Sequence, residues 1–275
     1  MSKGTLFVCP TPIGNLEDIT LRTLKVLNEV DIIAAEDTRH TLKLLNHYEI
    51  KKPLTSYHKH NKWEKGQVIL EKLKFGKNVA LVSDAGMPGI SDPGEELIGL
   101  AIAEDIDVVA LPGATASITA LILSGLPTGK FVFEGFLSSS KKERVLELER
   151  LKSESRTIIL YEAPHRLMYL LKDMKEVLGN RNISISRELT KVYEETFRGT
   201  IEEAILAFKE NRRGEFVIIV EGGEIEEVNP YEELSIKEHI KAYLEDGMTK
   251  KDAVKKVASD RKLSKNIVYK ESIDL

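Results

Sequence analysis

The sequence predicts an α/β protein: two α/β domains followed by a small helical unit of helix-turn-helix type. Three observations predict it. Short apolar runs of β character alternate with amphipathic helical segments through the first 125 residues. The alternation resumes after Gly125–Gly129 (GLPTG), now with more hairpin character. After Glu221-Gly-Gly the β-type runs stop and three short helical segments follow. The implied domains are residues 1–125, 126–226 and 227–275.

In the first domain the strand runs are Thr5–Cys9, Asp31–Ala35, Val79–Val82 and Val108–Leu111, all too short for helices. Thr20–Glu29, Thr38–His47, Lys62–Phe75 and Glu95–Glu104 carry the helical period between them. Such a βαβα order implies a mostly parallel sheet covered by helices. Leu111-Pro-Gly-Ala-Thr-Ala-Ser-Ile then turns into a further helix. The second domain reads Phe131–Phe136 as a strand, Lys141–Lys152 as a helix and Thr157–Tyr161 as a strand. A helix over His165–Leu178 follows, then strands Ile183–Arg187 and Lys191–Arg198, a helix over Ile201–Asn211 and a strand Phe216–Val220. Its hairpins imply a mixed sheet. The tail reads as helices Ser235–Glu245, Thr249–Ser259 and Ser264–Glu271, with Gly247 as a stop and Ser264 as a cap. Lys250, Lys251, Lys255, Lys256, Arg261, Lys262, Lys265 and Lys270 face only Asp252 and Asp260. That excess fits a unit touching phosphates, and equally a solvated helical tail.

With 275 residues, 42% of them hydrophobic, the chain can bury a substantial core. Forty basic against 44 acidic residues give a net charge of -4, so contact with a polyanion must come from local patches. The single cysteine, Cys9, excludes an internal disulfide and fits a small core residue in a reducing compartment. Met1–Thr5 is short and polar, with no leader-like apolar segment, and no apolar run approaches the roughly 18 residues that span a bilayer. A soluble, cytoplasmic protein with no membrane contact is expected.

Several signatures can be excluded. The first strand turns through Cys9-Pro-Thr-Pro-Ile-Gly-Asn15, not G-x-G-x-x-G, and Gly125-Leu-Pro-Thr-Gly-Lys-Phe131 is not a P-loop. His58-Lys-His60 lacks a nearby carboxylate or cysteine, so no metal site is expected. Three constellations remain. Loops PTPIGN, SDAGMPGISDPG and PGATAS each follow a strand, and loops after parallel strands converge on one sheet edge. Together they can line a pocket of backbone amides and carbonyls suited to a purine, hydroxyls and a zwitterion without phosphate. Asp84 and Asp92 lie in the second of them, where they would otherwise be turn residues. Next, Glu36-Asp37-Thr-Arg39-His40 places four ionisable groups at a strand end, more than an N-cap requires. Last, Tyr57-His-Lys-His-Asn-Lys-Trp63 is a basic stretch with two aromatics, suited to stacking a base and holding its phosphates, or to being a plain surface loop.

TPIGNLEDITLRTL (11–24), AAEDTRHT (34–41), SYHKHN (56–61), SDAGMPGISDPG (83–94), LPGATA (111–116) and YEAPHR (161–166) resemble the ribosomal small-subunit methyltransferase I family. This is a branch of the tetrapyrrole-methylase superfamily, the class III S-adenosylmethionine enzymes. The resemblance runs in order over residues 4–223, and the final segment is similar to the helix-turn-helix unit often appended there. It implies a homodimer with S-adenosylmethionine in the cleft between two α/β domains. It also implies 2'-O-methylation of cytidine 1402 of 16S rRNA, on the assembled small ribosomal subunit. By the same resemblance the donor would be held by Pro12, Ser83, Asp84, Ala85, Met87, Thr115, Ala116 and Tyr161, with Gly214 also a candidate. The chain departs from the small-molecule branches at its first loop, which is not G-x-G-P-G-D, and at Ser83-Asp-Ala85, where they read G-D-P. The first departure argues against a porphyrin or corrin acceptor.

A ribose hydroxyl is a poor nucleophile until a base accepts its proton. Glu36 or His58 is expected in that role. Arg39, Lys59 and His60 would hold flanking phosphates, with Tyr57 against a base and Asp37 fixing Arg39. Two rival functions share these residues: methylation of a small tetrapyrrole-type substrate, and a non-catalytic RNA-binding factor in ribosome assembly.

Overall fold

The computed structural model describes residues 2–209, 214–223, 234–273 and 275. By the density of its contacts the chain falls into two units, Met1–Glu224 and Ile225–Leu275.

The larger unit holds two five-stranded sheets. In the first, β1 (Thr5–Val8), β2 (Ile32–Ala35), β3 (Leu54–Ser56), β4 (Val79–Val82) and β5 (Asp107–Ala110) run parallel in the order β3-β2-β4-β1-β5. Helices α1 (Leu21–Glu29), α2 (Thr38–His47), α3 (Lys62–Lys74) and α4 (Glu95–Ala103) form its crossovers. β4 is buried at every position because both sheet faces are covered. Val79 and Leu81 pack under Ile69, Leu73 and Leu97, while Ala80 and Val82 meet Leu27, Leu45 and Leu111 on the other face. Cys9 is fully buried there, and desolvation pushes its thiol up to about 12. β3 was not expected from sequence: it is three half-exposed residues behind Pro53, too brief to show a period.

The second sheet orders β6 (Phe131–Phe136), β7 (Thr157–Glu162), β8 (Asn182–Arg187), β9 (Glu195–Thr200) and β10 (Phe216–Val220) as β6-β7-β10-β8-β9. Only β6 and β7 pair in parallel, so the sheet is mixed as the spacing predicts. Helices α6 (Lys141–Leu151), α7 (Leu167–Leu178) and α8 (Ile201–Ala207) cover one face through Leu148, Leu170, Met174 and Ile201. The opposite face is covered by α5 (Ala116–Ser124), the helix that follows β5. Its Ala120 and Leu121 pack on Ile159, Val217 and Ile219. Thus α5, placed before the expected 125/126 boundary, packs on the sheet beyond it. The last strand of the hairpin is Glu195–Thr200 instead of 191–198, because residues 188–194 form a turn. Expected helical residues 210 and 211 and the 226/227 boundary lie outside the described residues.

The smaller unit contains α9 (Ile236–Glu245), α10 (Lys250–Asp260) and α11 (Lys265–Glu271) around Ile240, Val257 and Val268. Ser235 and Glu238 form a capping box at the start of α9. Arg261, counted from sequence among phosphate-touching cations, turns inward: its Nε donates to His239 Nδ1 at 3.0 Å and an Nη donates to the Leu234 carbonyl. His239 is fully buried, and desolvation followed by the Arg261 charge lowers its pKa, with Asp260 opposing. The neutral ring is therefore the folded form. The unfolded ring takes a proton first as pH falls below the ordinary value, so the unit loses stability on acidification. Proton NMR titration of the six histidines should show His239 titrating below the usual 6.5; a His239 midpoint at or above that value contradicts it. Among the described residues no helix is long and apolar enough to cross a membrane.

Candidate active site

Three loops of the first sheet meet at the carboxyl ends of its strands. Thr11 and Gly86 exchange backbone hydrogen bonds at 2.9 and 3.0 Å, joining the loop after β1 to the loop after β4. A Cβ on Gly113 would stand 2.2 Å from Pro10 Cγ, so the loop after β5 packs directly on the first. Ser83 is buried, and its Oγ donates to the carbonyls of Ala85 and Gly86 at 3.3 and 3.2 Å, folding the middle loop back on itself.

These loops face the edge of the second sheet across a cavity of about 540 Å³, within the usual range for a small-molecule site. Glu36, Asp84, Ala85, Met87, Thr115 and Ala116 line it from the first sheet, and Tyr161 and Gly214 from the second. Phe133 and Phe136 hold the Tyr161 ring edge-on at 5.1 and 5.5 Å. Pro12 and Ser83 are not in the lining; Ser83 is buried behind it, bonded to the carbonyls of its own loop. The β8–β9 turn closes one side with Glu188, Leu189 and Lys191, and it seats on the first loop. Asn15 N donates to Thr190 Oγ1 at 2.9 Å, and a Cβ on Gly14 would lie 2.5 Å from the Leu189 carbonyl.

The cavity is acidic. Desolvation, then the Asp84 charge, raises Glu36, while Lys59 and His58 pull it back. Asp92 is pushed up to about 7 by desolvation first, then by Glu36, Asp84 and Glu215, against Lys59. Sequence reading named Asp92 only as one of two loop aspartates and missed Glu215, Phe136 and the β8–β9 turn as cavity groups. Nothing local distinguishes Asp92 from Asp84. Asp84 Oδ1 accepts from Asp37 N at 3.1 Å, whereas Asp92 is set apart by burial and by residues distant in sequence. Among the described residues no group of three or more His, Cys, Asp or Glu is arranged to hold a metal ion.

The other candidates lie outside the lining. Asp37 is the N-cap of α2, accepting from Arg39 N at 2.8 Å, and it also grips the exposed Arg39 guanidinium at 3.1 and 2.7 Å. Arg39 is therefore fixed by Asp37 as expected from sequence. His58, Lys59 and His60 follow β3, with Lys59 and His60 exposed and Lys59 near enough to act on both Glu36 and Asp92. Tyr57 is a correction: it is 1% exposed, packed in the core beneath α3, and desolvation raises its hydroxyl to about 12. It offers no face to a base; Trp63, 70% exposed, is the exposed aromatic of this stretch.

A sequence profile described as Tetrapyrrole (Corrin/Porphyrin) Methylases matches residues 5–205. A protein of Bacillus subtilis named ribosomal RNA small subunit methyltransferase I is 54% identical over 271 residues, covering 97% of this chain and 93% of that one. Its counterpart of the same name in Halalkalibacterium halodurans is 53% identical over 272 residues, covering 97% and 94%. In fold, the chain is similar to the crystal structure of uroporphyrin-III C-methyltransferase from Thermus thermophilus complexed with S-adenosylhomocysteine. There the TM-score is 0.56 at 18% identity, covering 81% of this chain and 98% of that one.

Proposed function

Because the chain belongs to the tetrapyrrole (corrin/porphyrin) methylase family, in its ribosomal RNA small subunit methyltransferase I group, we propose that it transfers a methyl group from S-adenosylmethionine to the 2'-oxygen of cytidine 1402 in 16S rRNA. The observation that carries this reading is the acid-lined cavity between three backbone loops and the second sheet, with basic residues at its rim. The donor supplies an electrophilic methyl on a sulfonium. Backbone groups of the three loops suit its nucleoside part, and the carboxylates of Glu36, Asp84, Asp92 and Glu215 suit its cationic part. The same carboxylates disfavour a polycarboxylated tetrapyrrole as acceptor, and this reading gives the flanking phosphates to Arg39 and Lys59, whose charges act on cavity carboxylates, and to His60.

The residues divide the work accordingly. The loops and Tyr161 hold the donor and exclude water. Asp92, pushed up to about 7 by desolvation and then by Glu36 and Asp84, takes the ribose proton as the C–O bond forms and the C–S bond breaks, the role expected from sequence for Glu36 or His58. Asp37 positions Arg39 without touching substrate. The assembled small ribosomal subunit as substrate and a homodimer as working form belong to the same proposal and rest on the family resemblance.

The test is methylation of small subunits with labelled donor, followed by mapping of the modified nucleotide. Asp84→Ala should weaken donor binding by about tenfold or more, and Arg39→Ala should slow RNA methylation with donor affinity intact. Equal donor affinity of Asp84→Ala and native chain in calorimetry removes the donor-site assignment, and label appearing on a base or another nucleotide removes the acceptor assignment.

A further inference from the structure

The β8–β9 turn that closes the cavity presents two side chains for which the chain itself has no use. It is a tightly built turn, with Glu188 and Thr190 at φ 51° and 66°. Lys191 N donates to the Glu188 carbonyl at 3.0 Å, Glu194 N to the Lys191 carbonyl at 3.1 Å, and Thr190 N to the Glu194 carboxylate at 2.7 Å. Leu189 is buried beneath it, and Thr190 is tied to Asn15 across the cavity wall. Yet this pinned turn holds Val192 92% exposed and Tyr193 83% exposed. A single exposed apolar residue needs no explanation. Two adjacent ones, β-forming types held out of the strand they are suited to, on a turn whose Lys191 lines the cavity, do.

We propose that Tyr193 is a stacking platform for an unpaired base beside the target nucleotide, with Val192 extending its apolar surface. The inference rests on the RNA reading of the cavity and adds to it a residue that selects the substrate. A ribose oxygen brought to the cavity leaves the neighbouring bases outside it, and Tyr193 follows the cavity-lining Lys191 by two residues. Single-stranded RNA is recognised largely by splaying such bases onto aromatic rings. A ring on a turn already fixed by its own hydrogen bonds gives up little conformational freedom on binding. A ring this exposed contributes little to folding, so its removal should leave the fold intact.

Steady-state methylation of small subunits by the full chain provides the test. Tyr193→Ala should raise KM for the subunit by roughly fivefold to a hundredfold, with donor affinity unchanged in calorimetry. Tyr193→Phe should restore the native KM, since stacking requires the ring and not the hydroxyl. A native KM in Tyr193→Ala overturns the proposal, as does equal impairment of the Ala and Phe variants. Dissociation of a native dimer by Tyr193→Ala, read by sedimentation, overturns it by assigning the turn to contact between copies. Absence of methylation by the native chain defeats the RNA reading beneath it, an outcome distinct from an active enzyme indifferent to Tyr193.

Discussion

Asp92→Asn is expected to slow methyl transfer by about a hundredfold or more, the usual contribution of a positioned general base, and to remove an inflection from the pH profile. In the native chain desolvation, then the charges of Glu36, Asp84 and Glu215, push Asp92 up to about 7. Its proton-accepting form therefore increases as pH rises through that value, and the rate should rise with it and then level off. A cationic donor in the cavity stabilises the carboxylate, so the inflection in kcat should lie below that in kcat/KM. Asparagine keeps the size and loses the proton affinity, which leaves a low and flat profile. A variant with native kcat, or one that keeps the inflection, would transfer the role to Glu36, whose raised pKa makes it the next base in the cavity.

The second large effect is on stability. Asp173→Ala should cost about 3–5 kcal/mol in chemical denaturation, because it strands a buried guanidinium. Arg144 and Asp173 are both 6% exposed in their side chains, with Arg144 Nε and Nη2 donating to Asp173 Oδ2 at 2.8 and 2.6 Å. Arg144 Nη1 also reaches the carbonyls of Ser138 and Ser139 at 3.2 Å, tying α6 and α7 to the chain leaving β6. Replacing both partners by apolar residues of similar volume should recover most of the loss. A single variant within 1 kcal/mol of the native chain would show that the pair is solvated.

Much of this architecture was legible because period and loop chemistry agree along the chain. Val79–Val82 and Phe216–Val220 are continuous apolar runs and became central strands buried throughout. The convergence of the three loops followed from their common place after parallel strands. What escaped depended on contacts between residues far apart in sequence. Asp92 is set apart by its burial first and then by Glu36, Asp84 and Glu215, and Tyr57 reads as a loop aromatic although the turn out of β3 carries it under α3. Arg261 sits in a basic run and is nonetheless spent on His239 and a backbone carbonyl. The spacing of Lys-Val-Tyr predicted a strand, which positive φ at Glu188 and Thr190 replaced with a turn.

The placement of α5 has a consequence for how such a chain can be recombined. Gly125, left-handed at φ 76°, ends the helix, and the Arg198 guanidinium from β9 grips the Leu123 carbonyl just before it. A chimera joined at the glycine-rich link after Ser124 would import a foreign lid for the second sheet and leave Val217 and Ile219 against a surface never fitted to them. A crossover upstream of Ala116 would keep lid and sheet from one parent. The seam along which this protein can be exchanged therefore lies a helix earlier than its most obvious linker.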